Sequence, residues 1–242
     1  MANFSDTNVV PPVPDEARPS RKKPRAMRRV TLTSTAALIS FVCYIGVFGG
    51  NVHTVAAGHV YRSSQLTGNG YEAVSARLIG NSLSHVVREY HIRTIINLRG
   101  GGPQDLRYRD ELATSARMGV DHVDIPMSAR HLPPPDMVNK LLDTFDRGRP
   151  PFLIHCQAGS DRTGLASALY AYLYEHEPLD QALTEELTWR YGHFSWSPTG
   201  AMDDFFEMYR STGRNMDFRN WLKTKYPALY ARSPERIIPA PG

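Results

Sequence analysis

Apolar residues fall along this chain in two rhythms. Short runs rich in β-branched or apolar side chains, Val60 to Ser63, Thr94 to Leu98, Val120 to Met127 and Phe152 to His155, have the length of strands and are bounded by polar or turn-forming residues. Between and after them the apolar positions recur every three or four residues, which predicts helices. Gly70 to Tyr90 carries Val74, Leu78, Leu83, Val86 and Val87 at that spacing. Asp110 to Met118 fits a second helix, stopped by Gly119, and Met137 to Phe145 a third, with Met137, Val138, Leu141, Leu142 and Phe145 on its apolar face. Arg99 to Gly102 and Leu132 to Pro135 read as loops. After the last strand come Thr163 to His176, Leu179 to Tyr191 and Gly200 to about Tyr209, and a short amphipathic piece, Phe218 to Tyr226, closes the pattern. Strands alternating with helices predict an α/β layered fold with a mainly parallel sheet.

The N-terminal pattern is different. Val30 to Gly50 holds no charged residue, and its 21 residues would span about 31 Å as a helix, the thickness of a bilayer core. Residues 1–29 precede it with seven basic and three acidic residues and five prolines, a disordered basic tail. By the positive-inside rule that tail stays cytoplasmic and the rest of the chain lies on the far side. A cleaved signal peptide would need an unusually long n-region and a poor cleavage context at Val55-Ala56-Ala57, so the segment is read as an uncleaved transmembrane helix. The expected organisation is therefore a tail at 1–29, a membrane helix at 30–50, a domain at 51–230 and a flexible end at 231–242. Charge supports no nucleic-acid role. The basic tail alone carries +4, equal to the net charge of the whole chain, so everything after it sums to zero.

The candidate chemistry sits where the last strand ends. His155-Cys156-Gln157-Ala158-Gly159-Ser160-Asp161-Arg162-Thr163-Gly164 joins that strand to a helix start. In such a loop the amides of Gln157, Ala158, Gly159, Ser160, Asp161 and Arg162 converge on one point, and the helix dipole adds positive potential there. A phosphate suits that point. Arg162 can fork two hydrogen bonds onto its oxygens, and Cys156 lies where the same field favours the thiolate, the attacking form. The only other cysteine, Cys43, lies in the apolar segment, so Cys156 has no disulfide partner in the domain. The spacing of the nine histidines suggests no metal site, and the chemistry needs no cofactor.

At these residues the chain resembles the protein tyrosine phosphatase superfamily, in its dual-specificity and atypical branch, and specifically a bacterial membrane-anchored member. HCQAGSDRTG is similar to the H-C-x5-R-T-G signature, and Asp immediately before Arg is similar to bacterial secreted tyrosine and lipid phosphatases. Val60-Tyr61-Arg62-Ser63-Ser64-Gln65 and Thr94-Ile95-Ile96-Asn97-Leu98-Arg99 resemble two further segments of atypical members, so the likeness spans roughly residues 51–225. It implies a three-layer phosphatase fold and hydrolysis of phosphomonoesters on phosphorylated proteins or small phosphorylated molecules. The general acid is the weak point. Related enzymes place an Asp some thirty residues before the Cys, often just ahead of prolines, whereas here Ser128-Ala129-Arg130-His131 precedes them. Asp161 is chosen as the acid, over Asp124, with Asp136 and Asp105 behind. A lipid or inositol phosphatase and a catalytically silent phosphate-binding module are the rival readings.

Overall fold

The structure, a computed structural model, describes residues 50–66, 82–213 and 215–232. Residues 1–49, which hold almost all of the expected membrane helix, lie outside them, as does most of the helix expected over Gly70 to Tyr90. Among the described residues no helix is long and apolar enough to cross a membrane.

Five strands form one sheet in the order β1-β2-β5-β3-β4. They are β1 (His53–Ala56), β2 (Val60–Ser63), β3 (Thr94–Asn97), β4 (Asp121–Asp124) and β5 (Phe152–His155). The pairings β2–β5, β5–β3 and β3–β4 are parallel, and β1 alone runs antiparallel, against β2. The hairpin strand β1 was not foreseen: His53-Thr54-Val55-Ala56 is short and weakly patterned, and only its position beside β2 gives it partners. The expected run Val120 to Met127 shortens to four residues of strand: Ile125 and Met127 still donate to the Asn97 and Leu98 carbonyls, but Pro126 between them has no amide proton with which to continue the ladder.

Residues of β3 and β5 are buried on both faces, which is why they read as unbroken apolar runs. The alternation of side chains sorts them into two cores. Ile95 and Leu153 point to one, with Tyr61, Leu83, Val86, Val87, Ile92 and Val120. Ile96 and Ile154 point to the other and larger core. Helices α1 (Leu83–Glu89) and α2 (Leu106–Met118) cover the first face. Helices α3 (Pro135–Arg147), α4 (Asp161–Leu173), α5 (Leu179–Glu186), α6 (Ala201–Thr212), α7 (Phe218–Thr224) and α8 (Tyr226–Arg232) contribute to the second.

Two boundaries differ instructively from the pattern. Helix α2 starts four residues before the expected Asp110 because Asp105 caps it, its carboxylate accepting from the amides of Arg107 and Tyr108. Gly119 ends it in the left-handed conformation at φ 67°, as expected. The closing amphipathic piece becomes two helices and runs to Arg232. There Phe205 packs edge-on against Phe206, Phe218, Trp221 and Tyr226 with ring centres 5.0–6.0 Å apart. Phe205→Ala should therefore cost about 3–5 kcal/mol of stability. A matching drop in the urea midpoint, with an unchanged urea m-value, checks it.

Candidate active site

The parallel register aligns Ser63, His155 and Asn97 across β2, β5 and β3. The loops that leave these strands thus gather at one edge of the sheet. The loop after β5 is short, and its geometry is forced from outside. Protonated His155 donates from Nδ1 to the carbonyl of Cys156 at 3.2 Å, and the Gln65 amide donates to Gln157 at 3.2 Å. Asn51 Nδ2 donates to Ala158 at 3.0 Å and the guanidinium of Arg62 to Gly159 at 2.9 Å. The Gly164 amide donates to Ser160 at 2.8 Å. Five consecutive carbonyls are therefore held outward. Since N–H and C=O are antiparallel in a planar peptide, the five amides from Gln157 to Asp161 turn inward.

Two glycines make this possible. Gly159 has φ +75°, and a Cβ there would meet the Ser63 carbonyl at 2.6 Å and the Ser64 amide at 2.7 Å. At Gly164 a Cβ would come within 2.9 Å of the Glu186 carbonyl, so a glycine lets the start of α4 press against the end of α5.

Cys156 lies on the floor of this loop, buried. Burial alone would push its thiol up. The Arg162 charge, the hydroxyl and amide of Thr163 and the amide of Gly159 outweigh that and hold it below the ordinary thiol value. Arg162 is anchored by one nitrogen, Nη1, which donates to the carbonyls of Met127 at 3.0 Å and Leu98 at 3.4 Å. Its Nε is buried without a protein partner among the described residues, as is the hydroxyl of Ser160. Such buried donors next to inward-facing amides suit an anion with several oxygens.

The structure gives each carboxylate candidate a different setting. Asp161 is the first residue of α4, beside the loop, and its Oδ1 bonds His193 Nδ1 at 2.8 Å, while His193 Nε2 bonds Asp203 at 2.8 Å. Burial would lower His193, but the two carboxylates overcome it and raise it to about 9. Asp124, at the end of β4, already accepts from Asn97 Nδ2 at 2.8 Å and, through its other oxygen, from the Tyr108 hydroxyl. Asp105 caps α2 and pairs with Arg99 at 2.7 Å. Asp136 is exposed in the first turn of α3.

Several residues that shape the loop were not assigned roles from the sequence. Arg62 is fully buried and also binds the carbonyl and carboxylate of Glu186 at 2.6 and 2.7 Å. A charge inside the short strand-like run Val60-Tyr61-Arg62-Ser63 was the available signal, because a buried arginine must have partners. Glu111 had no such signal. It is buried in α2, where its carboxylate bonds His155 at 2.7 Å, His122 at 2.8 Å and Gln65 at 3.0 Å. Burial would raise its carboxyl, but the two histidines hold it far below the usual range. Burial likewise opposes the charge on His155, and Glu111 restores it, raising that histidine. The spacing of histidines along the chain gave no metal site, yet the fold brings donor atoms of Glu111, His122 and His155 within 4.8 Å of one another. The separations to Glu111 are those of direct hydrogen bonds, and these account for the cluster.

Comparison with known proteins places this loop. The family model of the Swiss Army Knife protein DSP-PTPase phosphatase domain, PTP-SAK, matches residues 71–196, just over half of the chain, with Cys156 and Arg162 inside the match. The chain belongs to this family. It is a cysteine-based phosphatase of the dual-specificity and tyrosine-phosphatase-like type. No curated protein matches it in sequence. Solved structures similar to it include the catalytic domain of the PP-IP phosphatase SIW14 from S. cerevisiae, 20% identical over 72% of this chain and 94% of that one, with a TM-score of 0.47. TpbA from P. aeruginosa is 19% identical over 65% and 92%, with a TM-score of 0.43. A putative phosphatase from Shewanella putrefaciens is 18% identical over 69% and 97%, with a TM-score of 0.46.

Two outcomes follow from the geometry. The rate of Cys156 alkylation by iodoacetamide should reach half its plateau at a pH below the free-thiol value of about 8.5. Arg162→Met leaves burial less opposed and should move that midpoint up. Arg62→Met strands Glu186 and the Gly159 carbonyl, and should cost about 3–5 kcal/mol, read from urea unfolding, together with loss of phosphate binding.

Proposed function

We propose that this phosphatase hydrolyses phosphomonoesters through a cysteinyl-phosphate on Cys156, and that protein phosphotyrosine is its substrate, with phosphoserine and phosphothreonine accommodated. One observation carries the mechanism: a buried thiol held below its ordinary pKa at the centre of inward-facing amides. In the first step the Cys156 sulfur attacks phosphorus, the S–P bond forms, and the P–O bond to the alcohol or phenol breaks with its electron pair on oxygen. The amides of Gln157 to Arg162, with the Arg162 guanidinium, hold the three remaining oxygens as charge moves across them. In the second step water attacks phosphorus and gives its proton to the Asp161 carboxylate, which restores the proton lost in the first step; the S–P bond breaks with its electron pair on sulfur, and inorganic phosphate leaves. The Thr163 hydroxyl donates to the departing sulfur.

Asp161 supplies the proton to the leaving oxygen. It is favoured over Asp124, both of whose oxygens already accept hydrogen bonds within the sheet's end. Asp161 instead has a protonated histidine behind it, and that proton passes to Asp161 as charge grows on the leaving oxygen. Between Cys156 and Arg162 the only charged side chain is Asp161, which disfavours a polyanionic substrate and supports a singly phosphorylated one. The apolar segment Val30 to Gly50 anchors the chain, with the basic tail cytoplasmic and the catalytic domain on the far side.

Cys156→Ser should bind phosphate with turnover abolished, and Arg162→Lys should be nearly as damaging, since an ammonium cannot make the planar two-point contact. Asp161→Asn should slow phenyl phosphate by about 100-fold or more while sparing a substrate whose leaving group needs no proton. The same dependence appearing in Asp124→Asn would move the acid to β4. A panel of phosphotyrosyl and phosphoseryl peptides, an inositol polyphosphate and a phosphoinositide tests the substrate, and faster turnover of the last two would reverse the assignment.

A further inference from the structure

Four large hydrophobic side chains are exposed among the described residues, and three of them lie in one loop. Trp189 is 71% exposed, Phe194 43% and Trp196 81%, and the rings of Phe194 and Trp196 pair at 5.6 Å. A single exposed aromatic residue is ordinary, but three within eight residues form a patch.

Two other side chains of the same loop are already engaged beneath the patch. The Arg62 guanidinium lies 3.9 Å above the Tyr191 ring, and His193 is clamped between Asp161 and Asp203. Exposure of the aromatics is therefore built into the loop that borders the phosphate cradle. Its charge is one-sided as well. From Leu187 to Gly200 there is no Asp or Glu, while Arg190 is cationic and exposed.

The point where the N-terminal segment reaches the domain lies on this loop. Asn51, the first residue after the uncharged stretch Val30 to Gly50, donates from Nδ2 to the Tyr191 carbonyl at 3.1 Å and to Ala158 at 3.0 Å. His53 packs on the Tyr191 ring at 4.7 Å. A chain advances at most about 3.6 Å per residue, so a segment that leaves a bilayer at Gly50 delivers Tyr191 and its neighbours to the lipid–water boundary. Tryptophan favours that boundary, and basic residues are drawn to anionic headgroups.

We propose that the Trp189 to Trp196 loop docks on the surface of an anionic bilayer and holds the mouth of the phosphate cradle against it; this rests on the anchoring role given above to residues 30–50. The phosphoesters that reach Cys156 most readily are then those displayed at a membrane surface.

The test uses the full chain reconstituted in vesicles of phosphatidylcholine and phosphatidylserine, with and without bromine on the acyl chains. The chain has three tryptophans, of which Trp221 is fully buried, so lipid quenching reports on Trp189 and Trp196. The expected result is flotation with the vesicles and quenching of the emission by brominated lipid. The double variant Trp189→Ser, Trp196→Ser should still float and still turn over a soluble aryl phosphate, but should lose the quenching and slow on a phosphopeptide tethered to the vesicle. Flotation without quenching overturns the docking and leaves the anchor standing. Self-association that disappears in the double variant, again without quenching, makes the patch an interface between copies and overturns the docking too. Failure of the full chain to float overturns the anchor, and the docking with it.

Discussion

A loop that must offer its amides to a ligand has to dispose of its carbonyls, and the domain is organised around that requirement. Backbone carbonyls in a tight buried turn cannot be left without donors, and α4 can supply only the one that reaches Ser160. The rest come from other parts of the chain: Asn51 from just before β1, Arg62 from β2, Gln65 from the loop after β2, and His155 from the strand below. Arg62 does most. Its guanidinium binds the catalytic loop and Glu186 at the end of α5, and it stacks on Tyr191. One buried cation thus fixes the loop, the packing partner of α4 and the aromatic loop at the rim.

Charge around the thiol follows the same economy. A buried charge is tolerated only when it is paired and hydrogen-bonded, and His155 and Arg62 meet that condition. His155 is balanced by Glu111, which also holds His122. Arg62 is balanced by Glu186. Arg162 stands apart, since it is tethered only by carbonyls and keeps a buried Nε without a protein partner. The unbalanced positive charge of the site therefore lies at the loop that curls around the thiol, which is what lowers the thiol despite its burial.

Much of this was legible in the sequence, and the limits fall where chemistry becomes nonlocal. The periodicity of apolar residues foretold strands β2, β3 and β5 and helix α3, because buried strands and amphipathic helices write their own pattern. The signature from His155 to Gly164 located the phosphate cradle, because glycine, cysteine and arginine each have a local reason to stand there. Strand β1 was not legible, since an edge strand of four residues exists only through its partner. The start of α2 was missed because the capping role of Asp105 lay outside the apolar pattern.

The sequence by itself determined the α/β class, the position of the nucleophile and of the arginine, and the need for Gly159 and Gly164. These are properties of neighbouring residues and of backbone geometry. Only the tertiary structure decided which distant side chains hold the loop: Asn51 lies 107 residues from Ala158, Arg62 124 from Glu186, and Glu111 44 from His155. It also separated the carboxylates, giving Asp124 to Asn97 and Tyr108 and Asp161 to His193. Hydrogen bonds between residues so far apart follow from how β2, β3 and β5 align, and no local pattern records that alignment.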